Sequence, residues 1–202
     1  MKLLRIFACL LVALSQFVFG QTLHPLYKDG TEEVFEPELL GAWVSCVGNA
    51  FTVCDEFHFE KSPSDLGYRV TVSVSEAPKI EAIFAFHLIR LGDALFGDMR
   101  LTDIEAAGRS LKIDLEGQFH TIYRVSLKGS RLITAEAVFQ LEETQKALAE
   151  NRIQLHLETL EDGSIVSLAS TNELQEFAKR MAKDQRVFSE DLEWDRPTKD
   201  HK

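Results

Sequence analysis

The sequence predicts a mainly β protein: an antiparallel up-and-down meander of about ten strands, closed into a barrel or strongly curved, with two helices packed outside it at about residues 140–150 and 171–184. Three observations predict this class. Short segments alternate between apolar and polar residues, glycine-containing turns such as Gly92-Asp93 separate them, and no parallel crossover pattern or internal repeat is present. Sequential hairpins on this scale favour closure, because a closed barrel leaves no strand edge exposed to aggregation.

The first 20 residues have the composition of a secretory signal peptide. Lys2 and Arg5 form a short basic region, residues 6–14 are apolar but too few to span a bilayer, and Gly20 supplies the small residue that precedes a cleavage site. We therefore expect residues 1–20 to be removed and the mature protein to be exported, periplasmic or extracellular, with no transmembrane segment. An uncleaved membrane anchor is the alternative.

The chain is acidic. Its 22 Lys and Arg residues face 32 Asp and Glu residues, a net charge of −10, and loss of Lys2 and Arg5 with the signal makes the balance −12. Because no basic cluster accompanies this charge, nucleic acids and anionic membrane surfaces are disfavoured as partners. The mature chain is also long enough for one domain with a proper hydrophobic core.

The mature chain contains two cysteines, Cys46 and Cys54, and a close pair in an oxidising compartment predicts a disulfide. The register of the hairpin decides whether the bond can form. A turn centred on Ala50 places the cysteines opposite each other, whereas a tighter turn at residues 48–49 pairs Cys46 with a different residue. Metal binding is the competing hypothesis, but only one histidine lies nearby in sequence. We therefore predict no metal and no cofactor.

Residues 21–34 are polar and rich in turn formers, so we expect an N-terminal surface arm. A single barrel-like domain then spans residues 35–184 and begins with strands at 40–47, 52–60 and 68–75. The last of these strands alternates cleanly between apolar and polar residues, which predicts one core face and one solvated face.

Residues 80–91 are apolar on both faces, as expected of a strand that a helix covers on its outer side. A two-residue turn leads to a strand at 94–101. Three further alternating segments, at residues 111–115, 119–127 and 131–139, extend the same antiparallel meander.

Two helices follow the last of these strands. Residues 140–150 are helix formers, and the second helix begins with a capping box of Ser170 and Glu173 followed by apolar residues at helical spacing. A short hairpin within residues 153–169 connects the helices.

The tail, residues 185–202, is polar and charged. Phe188 and Trp194 are its only anchoring residues, so we expect disorder near its end.

Two resemblances add to this prediction. Gly41-Ala42-Trp43 resembles the Gly-x-Trp opening of lipocalins, in which the tryptophan closes one end of the barrel, so structural roles for Gly41 and Trp43 are implied. Most of the mature chain is also similar to a group of uncharacterised bacterial secreted proteins and lipoproteins. The similar segments are, in order, Pro25-Leu26-Tyr27, residues 35–43, Phe59-Glu60-Lys61-Ser62, residues 87–96, His120-Thr121, Arg124-Val125 and residues 170–177. This second resemblance implies a bacterial exported protein and carries no particular activity.

The aromatic residues of the strands predict an apolar barrel interior. The side chains expected to line it and contact a ligand are Phe57, Phe59, Phe84, Phe86, Phe119 and Tyr123, and Phe96 and Phe139 add to the supply of phenylalanines. The first hypothesis is therefore a secreted or periplasmic barrel that binds a small apolar or amphipathic ligand. The alternative is a cell-envelope interaction or structural protein with a filled barrel and no ligand, which would dock a protein partner through the amphipathic helix around Phe177.

No catalytic motif is present: the sequence lacks His-Glu-x-x-His, Gly-x-Ser-x-Gly, a phosphate-binding glycine loop and Cys-x-x-Cys. We therefore predict a protein that is not an enzyme and assign no catalytic residue. A hydrolase or isomerase that uses His87 or His120 with a carboxylate is the third hypothesis. The ordinary expectation is that His87 is a core histidine with locally satisfied ring nitrogens and that His120 lies on the polar side of its strand.

Glu81 and Glu136 are acidic residues on otherwise apolar strands. Surface salt bridges are the ordinary expectation for them, and pairing with Arg90 or Arg124 inside the barrel is the alternative.

Overall fold

The computed structural model describes residues 21–28, 32–47, 53–63, 66–76, 79–106, 109–112, 119–161 and 163–197. The signal-peptide prediction, the turn around Ala50 and the last five residues lie outside these ranges.

The described chain contains twelve strands and two α-helices. The strands are β1 (Gln21–Thr22), β2 (Gly41–Val47), β3 (Val53–Lys61), β4 (Tyr68–Glu76), β5 (Lys79–Leu91), β6 (Ala94–Ala106), β7 (Arg109–Lys112), β8 (His120–Lys128), β9 (Arg131–Glu136), β10 (Leu157–Thr159), β11 (Ile165–Ser167) and β12 (Leu192–Asp195). The helices are α1 (Glu142–Glu150) and α2 (Thr171–Met181), and short 3-10 helices cover Pro37–Leu39 and Gln185–Val187.

Eight strands form a closed antiparallel barrel. β2 to β6 pair in sequence order, β6 pairs with β8, β8 with β9, and β12 lies between β9 and β2 and completes the ring. The remaining strands are short: β7 extends from the end of β6, while β1, β11 and β10 continue the sheet from the start of β8. The predicted mainly β, lipocalin-like barrel with two helices outside is therefore confirmed.

The described part of residues 21–34 is an integral part of the sheet, so the predicted surface arm is wrong there. β1 pairs with β8 and β11, Leu26 is fully buried, and Glu33 and Val34 continue along the edge of β5. The reason is that neighbouring strands end early. β4 pairs with β5 only as far as Phe86, and the freed backbone groups of β5 need hydrogen-bond partners.

The tail is also built into the barrel, which corrects the prediction of a polar segment outside the domain. β12 completes the ring, and Trp194 is buried in the interior with only 3% exposure. Glu193 and Asp195, on the other side of this strand, lie near Arg131 of β9 at the surface. A strand of four residues alternates too briefly to be recognised from its sequence, although its alternation is regular.

The two helices cover part of the outside of the barrel and create a second hydrophobic core. Leu174, Phe177 and Met181 of α2 are fully buried there, against Ile89 and Leu91 of β5. The helices thus cover the outer face of residues 80–91 at Ile89 and Leu91, the end of the strand. The hypothesis that the helix around Phe177 presents an exposed docking face is wrong, because that face is core.

Both helix boundaries differ slightly from the prediction. α1 starts at Glu142 because Leu141 is extended, and α2 ends at Met181. The capping box of α2 forms as predicted: the Ser170 N–H donates to Glu173 Oε2 at 2.8 Å, and the Glu173 N–H donates to Ser170 Oγ at 3.5 Å. Neither helix of the described chain has the length and apolar composition needed to cross a membrane.

The hairpin of β2 and β3 has the register predicted from a turn centred on Ala50. Cys46 and Cys54 are directly opposed residues of the two strands. Opposed Cα atoms in an antiparallel pair are roughly 4.5–5.5 Å apart, within the range that a disulfide spans. The backbone therefore permits the bond, and the disulfide itself stays a prediction.

One end of the barrel is closed by a contact between its first and last strands. The Arg196 guanidinium lies 3.8 Å from the centre of the Trp43 ring, and it donates to the Leu40 carbonyl at 2.8 Å and also to the carbonyls of Ala42 and Glu38. Trp43 is fully buried and donates its indole N–H to the Leu39 carbonyl at 2.8 Å. We name this arrangement the Trp43–Arg196 clamp.

Gly41 is required beside the clamp for two reasons. Its φ of 99° lies in the left-handed region that residues with a Cβ rarely adopt, and a Cβ there would lie 3.1 Å from Arg196 Nη1. The structural roles expected for Gly41 and Trp43 thus have a common physical basis in the approach of Arg196.

We predict that Arg196→Ala lowers the free energy of unfolding by about 2–4 kcal/mol, because it removes a cation–π contact and several hydrogen bonds to carbonyls. Arg131→Ala is the matched control, since it removes an arginine with two exposed acidic neighbours and is expected to change stability by less than about 1 kcal/mol. Urea denaturation of both variants measures the difference. Equal losses in the two variants would show that the clamp is an ordinary surface contact.

Candidate functional site

The barrel interior contains most of the residues predicted to line it. Phe59, Phe84 and Phe86 are buried members of the interior core, and Phe57 and Tyr123 are partly buried against it. Phe119 precedes β8, is partly exposed and belongs to neither hydrophobic core. Phe96 and Phe139, counted with the interior phenylalanines from sequence, belong instead to the core beneath the helices.

Part of the interior is filled by three rings, which we name the aromatic block: Phe59, Tyr68 and Phe86. Phe59 and Phe86 pack edge to face with centroids 5.5 Å apart, and Tyr68 lies about 6 Å from both. Gly97 makes room for this packing, because a Cβ there would lie 2.4 Å from the Phe86 ring. Burial raises the pKa of Tyr68 to about 12, and its hydroxyl accepts from the Glu36 N–H at 2.6 Å.

A second part of the interior combines aromatic and polar side chains. We name it the Glu136 section, and its members are Phe57, Tyr123, Thr134, Glu136 and Trp194. Trp194 stacks on Phe57 with a centroid distance of 4.2 Å and donates its indole N–H to Thr134 Oγ1 at 2.9 Å. Glu136 follows two residues later on the same face of β9 and lies directly opposite Tyr123 of β8. The Phe57–Trp194 and Trp194–Thr134 contacts connect β3, β12 and β9, and the pairing of Glu136 with Tyr123 connects β9 with β8.

Glu136 is the chemically distinctive residue of this section. Its Oε1 atom is buried and has no hydrogen-bond partner, and no described basic residue forms an ion pair with it. Burial raises the pKa of Glu136 to about 8. Burial also raises the pKa of Tyr123 well above its usual value, and the charge of Glu136 adds to the effect. Both side chains are therefore largely neutral at neutral pH.

Solvent reaches the Glu136 section but not the aromatic block. Phe57, Tyr123, Thr134 and Glu136 all retain partial exposure although they face the interior, whereas every ring of the aromatic block is buried. The interior is therefore filled on one side and accessible on the other. An accessible interior with aromatic surfaces and a few polar atoms has the character of a small-molecule site.

The surface salt bridge that was the ordinary expectation for Glu136 is wrong, because its Oε1 atom is buried without a partner in the described chain, and the alternative pairing with Arg90 or Arg124 inside the barrel is absent as well. Arg124 lies on the outside of the barrel, where its guanidinium donates to Asp191 at 2.7 Å and stacks on Phe188. Arg90 pairs with Glu36 at 2.9 Å. The alternative of an ion pair between Glu136 and either arginine is thus wrong. Arg124 lies on the outer side of β8, and Arg90, although it shares the face of β5 that carries Phe86 and Leu88, lies exposed at the end of that strand.

The two candidate histidines lie outside the barrel, beneath the N-terminal segment, and each has an acidic partner. His120 Nδ1 is 2.6 Å from Asp98 Oδ1, and the other oxygen of Asp98 accepts from the Leu26 N–H at 2.6 Å. His120 is 7% exposed, so the expectation that it lies on the polar side of its strand is wrong. Its partner is the carboxylate of a neighbouring strand, which was the alternative.

His87 lies in the same region, directly opposite Asp98 in the pairing of β5 and β6. Its Nδ1 is 3.0 Å from Glu33 Oε1, an ion-pair distance without the angle of a hydrogen bond, and Tyr27 stacks on its ring at 4.2 Å. His87 is buried, as expected, and its acidic neighbour comes from the N-terminal segment. The expectation that both ring nitrogens are locally satisfied is wrong, because Nδ1 has no hydrogen-bond partner among the described residues. The two histidine pairs therefore attach Leu26 and Glu33 of the N-terminal segment to the barrel wall.

In the described ranges, no group of three or more His, Cys, Asp or Glu side chains is arranged to hold a metal ion. Comparisons with protein-family models, curated proteins and solved structures found no match. The functional argument therefore depends on the geometry of the Glu136 section.

We predict that Glu136→Gln makes stability less dependent on pH. The folded pKa of about 8 lies above the usual value of 4.5, so the folded protein holds a proton that the unfolded chain has lost between these pH values, and stability falls as pH rises through this window. The glutamine variant lacks this loss and should gain about 2–4 kcal/mol relative to the native protein between pH 5 and pH 8, allowing for the partial exposure of the side chain.

Urea denaturation at the two pH values measures this gain. Glu143→Gln, at an exposed position of α1, is the control and should show no such gain. A Glu136→Gln variant whose stability changes with pH in parallel with the native protein would contradict the prediction.

We also predict that Asp98→Ala destabilises the protein by about 3–5 kcal/mol, because it leaves the buried His120 ring and the Leu26 N–H without their shared partner. Hydrogen exchange at the Leu26 amide should accelerate markedly. Asp191→Ala, which removes an exposed partner of Arg124, is the control and should cost less than about 1 kcal/mol. Unchanged exchange at Leu26 in Asp98→Ala would argue against this attachment.

Proposed function

We propose that this protein is an exported β-barrel that binds a small apolar or amphipathic ligand in its interior. The Glu136 section is the observation that carries the proposal. It combines the stacked rings of Phe57 and Trp194 with the polar groups of Tyr123, Thr134 and Glu136, and all of these side chains except Trp194 remain partly exposed. Apolar surface with a few polar groups is what fixes an amphipathic molecule in an orientation.

The aromatic block supports a small ligand over a large one. Phe59, Tyr68 and Phe86 occupy interior volume that an eight-stranded barrel would otherwise offer. The occupant of the Glu136 section would therefore lie on a rigid apolar floor. Its polar end would contact Glu136 and Thr134, and its apolar body would contact the rings.

Binding is favoured over the envelope interaction protein that was the alternative. That alternative depended on a filled barrel and an exposed apolar face on α2. The face of α2 formed by Leu174 and Phe177 is buried in the outer core, so no part of it is free for a partner.

We propose binding rather than catalysis for a related reason. Asp98, the carboxylate next to His120, also accepts a backbone N–H, and His87 is enclosed by Tyr27 and Glu33. These contacts account for both histidines as attachments of the N-terminal segment. The export signal at residues 1–20 and the disulfide between Cys46 and Cys54 complete the proposal of an exported, periplasmic or extracellular protein of bacterial type.

Native mass spectrometry of the protein exported to a bacterial periplasm and purified without reducing agent tests the proposal. We expect an adduct of one small molecule per chain that disappears on denaturation. Phe57→Ala removes the ring stacked on Trp194 and should reduce adduct occupancy at least severalfold, whereas Leu141→Ala, at an exposed position, should leave it unchanged.

The denatured mass tests the other parts of the proposal. It should correspond to cleavage after Gly20 and to two hydrogens fewer than the reduced chain, as a Cys46–Cys54 bond requires. A native mass without an adduct, together with no uptake of added amphiphiles, would favour the filled-barrel alternative.

A further inference from the structure

Glu136 presents an acceptor to the barrel interior that the described chain does not use. Its Oε1 atom has no partner, and Arg124, which follows the opposed Tyr123 in sequence, donates to Asp191 outside the barrel. A buried carboxylate without a partner is strongly disfavoured, so such a group persists as the neutral acid or is matched by a cation.

The surroundings of Glu136 suit a cation better than other ligand groups. Tyr123 lies opposite it on β8. Thr134, two residues before Glu136 on the same face, accepts from the Trp194 indole, which stacks on Phe57. Aromatic faces attract ammonium groups, and an ammonium supplies donors without bringing an acceptor. An anionic group would instead meet the carboxyl and two electron-rich rings, and a neutral acceptor would leave the charge of the ionised form unmatched.

We propose that the interior of the barrel binds an apolar amine as its ammonium ion, with Glu136 as the counter-ion and the Phe57 and Trp194 rings as the surface for its apolar body. This inference rests on the proposed function and names the class of ligand. Thr134 Oγ1, which already accepts from Trp194, lies two residues before Glu136 on the same face and holds the indole in place for this contact.

Binding of an ammonium ion beside Glu136 should release a proton from its carboxyl group. Below pH 8 the Glu136 carboxyl is protonated, so an incoming ammonium ion displaces its proton to solvent and the bound state contains a carboxylate and an ammonium. Affinity should therefore rise with pH and become constant once Glu136 is ionised in the free protein. An alcohol of the same chain length displaces no proton.

We assign the proton released on binding to Glu136, because the groups that face it do not titrate in the pH range of the experiment. On β8 the titratable neighbour is Tyr123. Burial raises its pKa well above the usual value, so Tyr123 stays protonated throughout the pH range of the experiment. On β9 the neighbour on the same face is Thr134, and on β12 the nearest residue on the face of Trp194 is Leu192, which lies opposite Thr134, and neither titrates. Glu190, which precedes β12, is exposed.

Isothermal titration calorimetry with decylamine, decanol and decanoic acid tests the proposal, at pH values from 5 to 8 and in two buffers of different ionisation enthalpy. For decylamine, the Kd should fall about tenfold per pH unit between pH 5 and 7, with release of about one proton per molecule bound at pH 6. Decanol should bind more weakly at pH 8 with no pH dependence, and decanoic acid should bind weakest where Glu136 is ionised.

Glu136→Gln removes the proposed counter-ion and keeps the size of the side chain. It should weaken decylamine binding at pH 8 by at least about tenfold and abolish proton release, while decanol binding changes by less than about threefold. Glu143→Gln should behave as the native protein does. If Glu136→Gln fails to fold, the proton release of the native protein decides the question alone.

The outcomes separate this inference from the proposed function. Decanol binding as tight as decylamine at pH 8, or decylamine binding without proton release, would overturn the amine proposal and leave a ligand-binding barrel in place. No detectable binding of any of the three probes at about 1 mM would overturn both, because even weak specific binding is measurable at that concentration.

Discussion

The contact of Arg196 with Trp43 is the constraint on which the rest of the barrel depends. A ring of eight strands is closed only if its last strand reaches its first, and here that last strand has four residues and pairs with β2 at a single position, Asp195 opposite Val44. So short a ladder offers few hydrogen bonds. The guanidinium adds a cation–π contact and bonds to carbonyls at the start of β2, and it holds the seam where backbone pairing is weakest.

Closure at this seam also creates the candidate site. Trp194 lies two residues before Arg196 in the same short segment, so the clamp that fixes the end of β12 also fixes the indole that faces Phe57 and Thr134. The opposite side of the barrel is held differently. There the N-terminal segment covers the early ends of neighbouring strands, and two buried pairs of histidine with acidic residues attach it. Rigid walls on both sides preorganise the interior between them.

Whether a feature could be predicted from the sequence depends on how far apart along the chain its interacting residues lie. Strand positions, the hairpin register and the capping box of α2 are local, and alternation, turn residues and helical spacing predicted them. Arg196 and Trp43 are far apart in sequence, and the strand that joins them is too short to show a period. The N-terminal segment looked like a surface arm because its turn residues are local signals, whereas its burial depends on β4 beginning only opposite Phe86 of β5. The sequence did not indicate Asp98 as the partner of His120, because their contact depends on β6 and β8 being neighbours in the barrel.

Glu136 shows the same limit of prediction from sequence. It also shows what burying an ionisable side chain does to the stability of the folded protein. As an acidic residue on an apolar strand it was conspicuous in the sequence, but the direction of its side chain depends on which face of β9 closure turns inward. A threonine or glutamine at this position would satisfy the fold without burying an ionisable group. A carboxyl held neutral by burial weakens the folded protein at pH values where the unfolded chain ionises it, and a bound cation reverses that penalty. Under the proposed function, Glu136 is therefore the residue through which the charge of a bound ligand, as well as its shape, would change the stability of the folded protein.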